Sequence, residues 1–455
     1  MNPEISNKKI LILGLGREGL ASLRFVLSNC PGATIGVADR ADEAKISPAI
    51  RELLQENPAI KKHLGENYLS ALPAYDAIVK SPGLPIHLPE IEAAFAQDKI
   101  TSQTRLFFDL CPGTLIGITG TKGKSTTSSI IYEIIKRSGK KAFLIGNIGT
   151  PMIDYLKDID RDTFCVCELS AHQLYDLTKS PHIAVLLNVY PEHLDYYKDF
   201  SEYIFAKANI AKFQDKKDLL IYNSANPEVN KIAQGSLARK IAFNEYDWQF
   251  TGKTALIGKY NLDNAKIGAI IGRELGISDK DINTAIADFK PLDNRLEFVG
   301  NFNGADFYND SLSTIQESAV AAIESFGPKL QTLIAGGFDR HQPFDKLAAA
   351  VLQSNIESLI LFPTTGQRIW QEIEKCAAVM EIGGRLASIK PYFVDKMEEA
   401  IARALETTMP GRICALSAAS ASFSGFKDYA ERGASFRENL KRQAKACAET
   451  PSVAI

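Results

Sequence analysis

Short apolar runs of strand length alternate with stretches of helical period along most of the chain. In the first hundred residues the runs at 10–13, 34–38 and 77–80 read as strands, with a helix over 20–28 between the first two. This is the pattern of a small α/β domain with a mostly parallel sheet, and Pro82, Pro85 and Pro89 then punctuate the chain. A second such pattern opens at residues 115–118, a strand that runs into a glycine-rich segment and then a helix. That helix places Ile130, Ile131, Ile134 and Ile135 on one face and stops at Gly139. Further strands are expected at 163–167 and 183–189. A third block begins near Asn294, with strands around 333–335, 358–362 and 413–416. The expectation is an α/β protein of three domains, 1–105, 106–294 and 295–455, without internal repeats or low-complexity tracts.

Composition agrees with a folded chain of several domains. Its 455 residues are too many for one ordinary core, and 45% are hydrophobic and 23% charged. A formal net charge of -2 gives no overall attraction to nucleic acid or to an anionic membrane, so an anionic ligand must be held by local groups. The seven cysteines, Cys30, Cys111, Cys165, Cys167, Cys376, Cys414 and Cys447, are scattered without a CxxC pair and read as reduced thiols of a cytoplasmic protein. Cys165 and Cys167 alternate along an apparently buried strand and are assigned to packing. Lys8 and Lys9 lead into a run of strand length, not a leader peptide, and no segment approaches the roughly 20 apolar residues of a membrane helix. A soluble cytoplasmic protein is expected.

Two loops carry phosphate chemistry. Gly14-Leu15-Gly16-Arg17-Glu18-Gly19 follows a strand and opens a helix, and Asp39 ends the next strand. Glycines there let the backbone approach a pyrophosphate that faces a helix N-terminus, which fits NAD and the diphosphate of a UDP-sugar alike. The second loop reads Gly117-Ile118-Thr119-Gly120-Thr121-Lys122-Gly123-Lys124-Ser125-Thr126, with Ile118 where a strict Walker loop has its first glycine. Backbone N–H groups from Gly120 to Lys124 are suited to an anion nest, Lys124 to the β- and γ-phosphates, and Ser125 to Mg²⁺. Glu168 sits at the end of a strand expected beside the phosphate-loop strand and could approach its metal; the spacing also allows a helix-start glutamate. His193 and Asp195 fall at the carboxyl end of another strand, the edge where α/β ligands gather, although an isolated histidine there also reads as a surface residue.

Taken together, these segments resemble the Mur ligases, and among them the glutamate-adding branch. The resemblance runs through GLGREGL, SPG at 81–83, GTKGKST, GNIG at 146–149, ELSAHQL, NVYPEHLDYY, AK at 206–207, NLDNA, NRLE, NDS, GGFDR and LSAASASFSGFKDYAERG, in order along essentially the whole chain. It implies an N-terminal Rossmann-like domain for a UDP moiety, a central ATPase-like domain and a C-terminal Rossmann-like domain that brings glutamate. The first loop is thereby reassigned from NAD to UDP. Gly14, Leu15, Gly16, Arg17, Glu18, Asp39, Arg40 and Ser81 are then expected near the nucleotide, and Asn147 faces the muramoyl part.

The implied reaction transfers the γ-phosphoryl group of ATP to the carboxylate of UDP-N-acetylmuramoyl-L-alanine, and the amine of glutamate attacks the acyl phosphate. ATP contacts are expected from Gly120, Thr121, Lys122, Gly123, Lys124, Ser125, Thr126, Asn264, Arg295 and Asp310. Ser125, Glu168, His193 and Lys207 are expected at Mg²⁺, with Lys207 carbamylated, and Lys124, His193, Lys207 and Arg295 as the catalytic groups. Glutamate is expected at Thr314, Arg340, Ser422, Phe423 and Tyr429. Without the resemblance Lys207 reads as a solvated helix residue. The family is usually monomeric, and closure of the third domain over the ATP site would exclude water.

One segment departs from the pattern. Asp310-Ser311-Leu312-Ser313-Thr314-Ile315 lacks the lysine that many members carry after the Asp-Ser pair. The variant resembles a subgroup that uses L-glutamate; D-glutamate is the main expectation. The alanine-adding members usually have a His-containing phosphate loop and the diamino-acid-adding ones a DNPR-type motif, and this chain has neither. Folylpolyglutamate synthases lack a separate first domain. A nicotinamide oxidoreductase would leave GTKGKST unexplained, and a non-catalytic nucleotide module would leave Glu168, His193, Lys207 and Arg295 without a task.

Overall fold

The structure is a computed structural model describing residues 7–423 and 425–449, the last four by backbone alone. Ser424 of the C-terminal motif and the side chain of Cys447 lie outside the described set. Three sheets organise the chain. The first is parallel, in the order β3-β2-β1-β4-β5, from β1 (Lys9–Leu13), β2 (Thr34–Asp39), β3 (Lys61–Leu64), β4 (Ala77–Lys80) and β5 (Ile100–Thr101). The second is also parallel, in the order β11-β10-β9-β6-β8-β7. Its strands are β6 (Thr114–Thr119), β7 (Ala142–Gly146), β8 (Phe164–Glu168), β9 (Ile183–Leu186), β10 (Leu219–Tyr222) and β11 (Arg239–Ala242). The third has the order β12-β13-β17-β14-β15-β16, built from β12 (Glu297–Phe302), β13 (Ala305–Asn309), β14 (Leu330–Gly336), β15 (Ser358–Phe362), β16 (Lys390–Phe393) and β17 (Ile413–Leu416). Only its edge pair β12–β13 is antiparallel.

The expected α/β class, with three largely parallel sheets, is the one observed. The described residues fall in two compact units: one holds the first two sheets with residues 263–286, the other the third sheet with residues 252–262.

Parallel strands covered on both faces explain the near-continuous apolar runs. Along β1 the side chains alternate between two cores. Ile10 and Ile12 pack with Val26 and Leu54, while Leu11 and Leu13 pack with Tyr75 and Ile91. The third sheet repeats the device: Leu333 and Leu359 join Leu347 and Ile369, and Ile334 and Ile360 join Phe436 and Leu440 on the other face. Each such fully buried side chain contributes about 1.5–3 kcal/mol relative to exposure. Cys165 and Cys167 on β8 are fully buried in the second core, as expected of packing residues, and the six cysteines with described side chains are all free thiols.

In each sheet the strand order reverses beside a strand that feeds a loop of interest. β1 lies between β2 and β4, β6 between β9 and β8, and β14 between β17 and β15. Such switch points open a crevice at the carboxyl ends of the strands, and there lie the loops that begin at Gly14, Gly120 and Gly337. One strand is shorter than its apolar run. β9 ends at Leu186 instead of Val189: the Leu187 N–H still bonds Thr119 O, and the chain then turns across the phosphate loop, where Asn188 O accepts from Thr121 N.

Candidate active site

The phosphate loop joins β6 to the helix Lys124–Arg137, whose N-cap is Gly123 in the left-handed region at φ 90°. A side chain would be strained in that conformation. Asn188, which the sequence reading did not single out, clamps the loop. Its backbone oxygen accepts from Thr121 N at 2.7 Å, its Oδ1 accepts from Lys122 N at 2.8 Å, and its Nδ2 donates to Lys122 O at 3.1 Å. The N–H groups of Thr121 and Lys122, expected in an anion nest, are thus engaged by Asn188. Thr121 Oγ1 further accepts from Tyr190 N and meets Tyr203 Oη at 3.2 Å. Asn264 supports the same loop from behind, accepting from Thr127 Oγ1 at 3.0 Å. Ser125 and Thr126 are buried in the first turn of the helix.

Charges concentrate on this loop. Lys124 Nζ donates to Gly120 O and Thr121 O at 3.0 and 3.1 Å, and Lys122 pairs with Glu192 at 2.9 Å. Burial works to raise the Glu192 carboxyl, but the Lys122 and Lys124 ammoniums hold it down at about 2. Lys207 projects from the helix Phe200–Lys212, which Asp199 caps by accepting from Glu202 N. It is 1% exposed, so the solvated-helix reading fails for it. Its Nζ donates to Gly120 O at 2.9 Å and stands 4.8 Å from the Tyr203 ring centroid. Burial first and the Lys124 ammonium second push its amine well below the ordinary lysine range, against the pull of Glu192.

His193 has φ 59°, a left-handed conformation uncommon for a residue with a side chain. Burial lowers its basicity, Glu192 opposes that, and Lys124 and Lys207 add to it. Its ring meets His172 edge-on at 5.0 Å. Glu168 is the last residue of β8, opposite Ile118 of β6, and 2% exposed. Its Oε1 accepts from Asn147 Nδ2 at 3.0 Å, and its buried Oε2 has no protein partner. Among the described residues no group of three or more His, Cys, Asp and Glu is arranged as a metal cage. A buried carboxylate oxygen awaiting a partner fits Mg²⁺, which takes one or two carboxylates and keeps several waters.

In the first sheet Asp39 braces the glycine loop, accepting from Leu15 N at 2.6 Å and Ala41 N at 2.7 Å. Ser81 Oγ donates to Gly14 O at 2.9 Å. A Cβ on Gly19 would lie 1.9 Å from Gly14 O, so this glycine is required by packing. A Cβ on Gly16 would meet nothing within 4 Å, which leaves space for a ligand. Gly16, Arg17 and Arg40 are exposed. Arg17 Nη1 donates to Gly149 O at 2.9 Å, and Gln173 Nε2 donates to Glu18 Oε1 at 3.2 Å. These two bonds stitch the first glycine loop to the loop of Asn147 and to the segment after Glu168. Burial raises the Glu18 carboxyl.

The second unit carries the remaining expected residues. Asp310 is fully buried, accepting from Leu296 N at 3.2 Å, from Ser417 Oγ at 2.8 Å and from Ser313 Oγ. Burial pushes it up to about 6 despite those bonds and the Arg295 charge. Thr314 O accepts from Gln342 Nε2 at 3.3 Å. The Arg340 guanidinium lies 5.5 Å from the centroid of the exposed Phe423 ring. Ser422 is buried and lines a cavity of about 270 Å³ with Gly337 and Arg432. Arg432, missed in the sequence, donates to Ser311 Oγ at 3.0 Å, Ser311 O at 2.7 Å and Ser420 O at 3.1 Å. It ties Ser311 to the loop of Ser422. Tyr429 is exposed, and its backbone oxygen accepts from Ser311 Oγ.

Comparison with known proteins agrees with this arrangement. Residues 118–251 match the Mur ligase middle domain, and residues 8–101 match the Mur ligase MurD-like, N-terminal domain. The chain is 32% identical over 462 residues to the UDP-N-acetylmuramoylalanine--D-glutamate ligase of Acetivibrio thermocellus, covering 96% of each protein. It is 33% identical over 454 residues to the ligase of that name from Clostridium kluyveri, covering 95% of this chain and 96% of that one. Among solved structures, the MurF ligase of Thermotoga maritima in complex with ADP superposes with a TM-score of 0.59 at 16% identity, covering 98% of this chain and 100% of that one. The UDP-N-acetylmuramate-alanine ligase MurC of Thermotoga maritima gives 0.55 at 17%, covering 96% and 100%. The fold, the two glycine loops at their switch points and the whole-length identity converge, and the chain belongs to the Mur ligase family.

Proposed function

We propose that the protein is an ATP-dependent amide-forming ligase that joins D-glutamate to UDP-N-acetylmuramoyl-L-alanine in peptidoglycan precursor synthesis. The observation that carries this reading is the relation to D-glutamate ligases over 96% of both chains. The terminal phosphoryl group of ATP passes to a carboxylate oxygen of the alanyl substrate, and ADP leaves. The glutamate amine then attacks the acyl carbon, the C–N bond forms, phosphate departs, and the amine releases a proton.

Each residue set has a task on this reading. Gly14, Leu15, Gly16, Arg17, Glu18, Asp39, Arg40 and Ser81 hold the UDP part, and Asn147 the muramoyl part. The open space at Gly16 supports this. Gly120 to Thr126 cradle the triphosphate with Asn264, and Lys124 offsets charge on the phosphoryl group in transfer. Arg295 and Asp310 serve ATP. Thr314, Arg340, Ser422, Phe423 and Tyr429 serve glutamate, where an arginine suits a carboxylate through paired N–H groups. Mg²⁺ would be held by Ser125, Glu168, His193 and Lys207, and supplies charge neutralisation between two anionic substrates.

Lys207 is read as a carbamate. Its neutral amine attacks the carbon of CO₂, an N–C bond forms, one proton is released, and the neutral amine becomes an anionic carbamate suited to a second metal. Burial of the amine against Gly120 supports this, since only the unprotonated form reacts. The domain division 1–105, 106–294 and 295–455 belongs to the same reading, as does a monomer that works in the cytoplasm without nucleic acid or membrane partners. Among the described residues no helix is long and apolar enough to cross a membrane.

The test supplies the full chain with UDP-N-acetylmuramoyl-L-alanine, ATP, Mg²⁺ and either D- or L-glutamate, and follows phosphate release and product mass. Phosphate and amide product with the D isomer are expected. Turnover with L-glutamate alone would reassign the amino acid, a possibility raised by Leu312 in the Asp310–Ile315 segment, and no turnover with either would end the proposal.

A further inference from the structure

The chain has six histidines, and the partners of their ring nitrogens divide them. His63 meets Tyr75 Oη at 2.9 Å, His87 meets Glu92 and Glu202 at 3.1 and 2.8 Å, and His182 Nδ1 accepts from Leu115 N at 3.0 Å. His341 is exposed. His172 and His193 are half-buried, their rings form no hydrogen bond among the described residues, and they adjoin each other with centroids 5.0 Å apart. Glu192 Oε2 stands 3.9 Å from His193 Nε2, beyond hydrogen-bond reach. The nitrogens of both rings are open to a ligand: none is among the unpartnered atoms sealed from solvent, and the His193 side chain is 40% exposed. Two adjacent imidazoles with open nitrogens and no protein partner present the donor set that borderline divalent cations take.

Local structure holds both rings in place. His172 sits in the short helix Ala171–Leu174, which Ser170 and Gln173 close with a reciprocal cap: Ser170 Oγ accepts from Gln173 N at 3.2 Å, and Ser170 N donates to Gln173 Oε1 at 3.1 Å. The left-handed His193 heads a turn in which its carbonyl accepts from Tyr196 N and Tyr197 N at 3.0 and 3.1 Å. The Tyr196 ring packs edge-on against His172 at 4.2 Å, and its hydroxyl donates to Leu84 O at 2.8 Å. The separation of the two imidazoles suits a shared ion. With metal–nitrogen bonds of about 2.0–2.1 Å each ring centre lies about 3.2 Å from the metal, and ligand angles of about 90–110° put the two centres about 4.5–5.2 Å apart. Edge-to-face packing alone spans about 4.5–7 Å; what singles out an ion is the lack of a hydrogen bond on either ring together with nitrogens open to solvent. Around the pair, Glu192 and Asp195 set negative charge against Lys80, Lys124 and Lys207, so an ion there is held by its nitrogen bonds and not by surrounding charge.

We propose that His172 and His193 together bind a borderline divalent cation of the Zn²⁺ class, each imidazole giving one nitrogen lone pair and water completing the coordination. This extends the assignment of His193 to metal and rests on that part of the proposed function. A second nitrogen donor gives the position a preference for Zn²⁺ over Mg²⁺, which takes oxygen ligands.

The test titrates the untagged full chain with Zn²⁺, without nucleotide and in millimolar Mg²⁺. Calorimetry should show one Zn²⁺ per chain that Mg²⁺ does not displace. His172→Phe, which keeps a ring against Tyr196, should weaken that binding at least tenfold with the circular dichroism unchanged. In wild-type protein labelled with ¹⁵N-histidine, Zn²⁺ should shift the ring nitrogens of two of the six histidines together, identified as His172 and His193 by the signals missing from His172→Phe and His193→Phe. A shift of one histidine alone in the wild type overturns the proposal, as does equal Zn²⁺ affinity in a folded His172→Phe or the absence of saturable binding. Phosphate release with Mg²⁺ and D-glutamate tests the ligase reading by itself, so failure of one is told apart from failure of the other.

Discussion

Lys207 Nζ lies 2.9 Å from the carbonyl oxygen of Gly120, so a buried amine on one helix closes against the first residue of the phosphate loop. The contact joins the two features on which the proposed chemistry depends: a phosphate cradle and an amine whose burial lowers its basicity, toward the form that reacts.

Lys207→Ala should lower turnover by about 10²–10³, the range for loss of one preorganised charged group at a reacting phosphoryl or acyl centre. Added bicarbonate should not restore it, because no amine remains to react. Lys207→Arg should be no better, since a guanidinium does not lose its proton. Phosphate release in the complete assay measures both. A spectroscopic check on the wild type is a carbamate carbon signal after equilibration with ¹³C-bicarbonate, absent in Lys207→Ala.

Asn188→Ala should chiefly affect ATP. Its side chain makes two bonds to the backbone of Lys122, at 2.8 and 3.1 Å. Neutral bonds of this kind contribute about 0.5–1.5 kcal/mol each. Their loss should raise the KM for ATP by about tenfold with little change in the KM for glutamate, as initial rates at varied ATP would show.

Glu168→Gln separates metal binding from local structure. The amide oxygen can still accept from Asn147 Nδ2, while the charge and the unpartnered Oε2 are lost. The Mg²⁺ concentration for half-maximal rate should rise at least tenfold with the thermal midpoint unchanged. Mn²⁺ binding followed by electron paramagnetic resonance gives the same comparison without turnover.

Much of this was legible in the sequence because parallel strands buried on both faces announce themselves as apolar runs, and because phosphate loops need glycines at fixed places. Residues 10–13 and 115–118 are the clearest examples, and the helix of Ile130 to Ile135 is another. Less visible were groups whose role depends on a distant partner. Asn188 and Gln173 lie inside recognisable motifs, yet only the fold brings them to Lys122 and Glu18. Lys207 is the sharpest case. Its helical spacing suggests a solvated face, and its burial follows from the approach of the phosphate loop, which no local pattern encodes. The short polar-faced strands β3 and β16 carry little apolar signal and went unread for that reason.

Asp310 should impose a pH dependence on the second unit. Its folded-state value is raised to about 6 from an ordinary value near 3.8, with burial as the main cause. Between those values the folded state holds a proton that the unfolded state has released. Stability must therefore fall as pH rises through that window, and level off above the folded value. About two pH units at 1.36 kcal/mol each put the effect on the order of 3 kcal/mol. Trp248 lies in the first unit and Trp370 in the second, and these are the chain's two tryptophans. In a Trp248→Phe background, urea unfolding followed by Trp370 fluorescence should show the midpoint dropping from pH 4.5 to pH 6.5. Asp310→Asn should flatten that slope whatever it does to the midpoint itself.

The two inner glycines of the first loop should respond in opposite ways to the same small change. A methyl group on Gly19 would be driven to 1.9 Å from the Gly14 carbonyl oxygen, a contact that only backbone movement can relieve. Gly19→Ala should therefore destabilise the first sheet by about 1–3 kcal/mol or more, the range for overpacking, and lower the thermal midpoint. Gly16→Ala meets no protein atom within 4 Å. It should leave the midpoint within a degree or two and raise the KM for the UDP substrate several-fold, because its methyl group occupies the space the nucleotide is proposed to take. Normal UDP-substrate kinetics in a folded Gly16→Ala protein would move the nucleotide away from this loop. Gly19→Ala cannot stand in for it, since a misfolded loop loses binding for either reason.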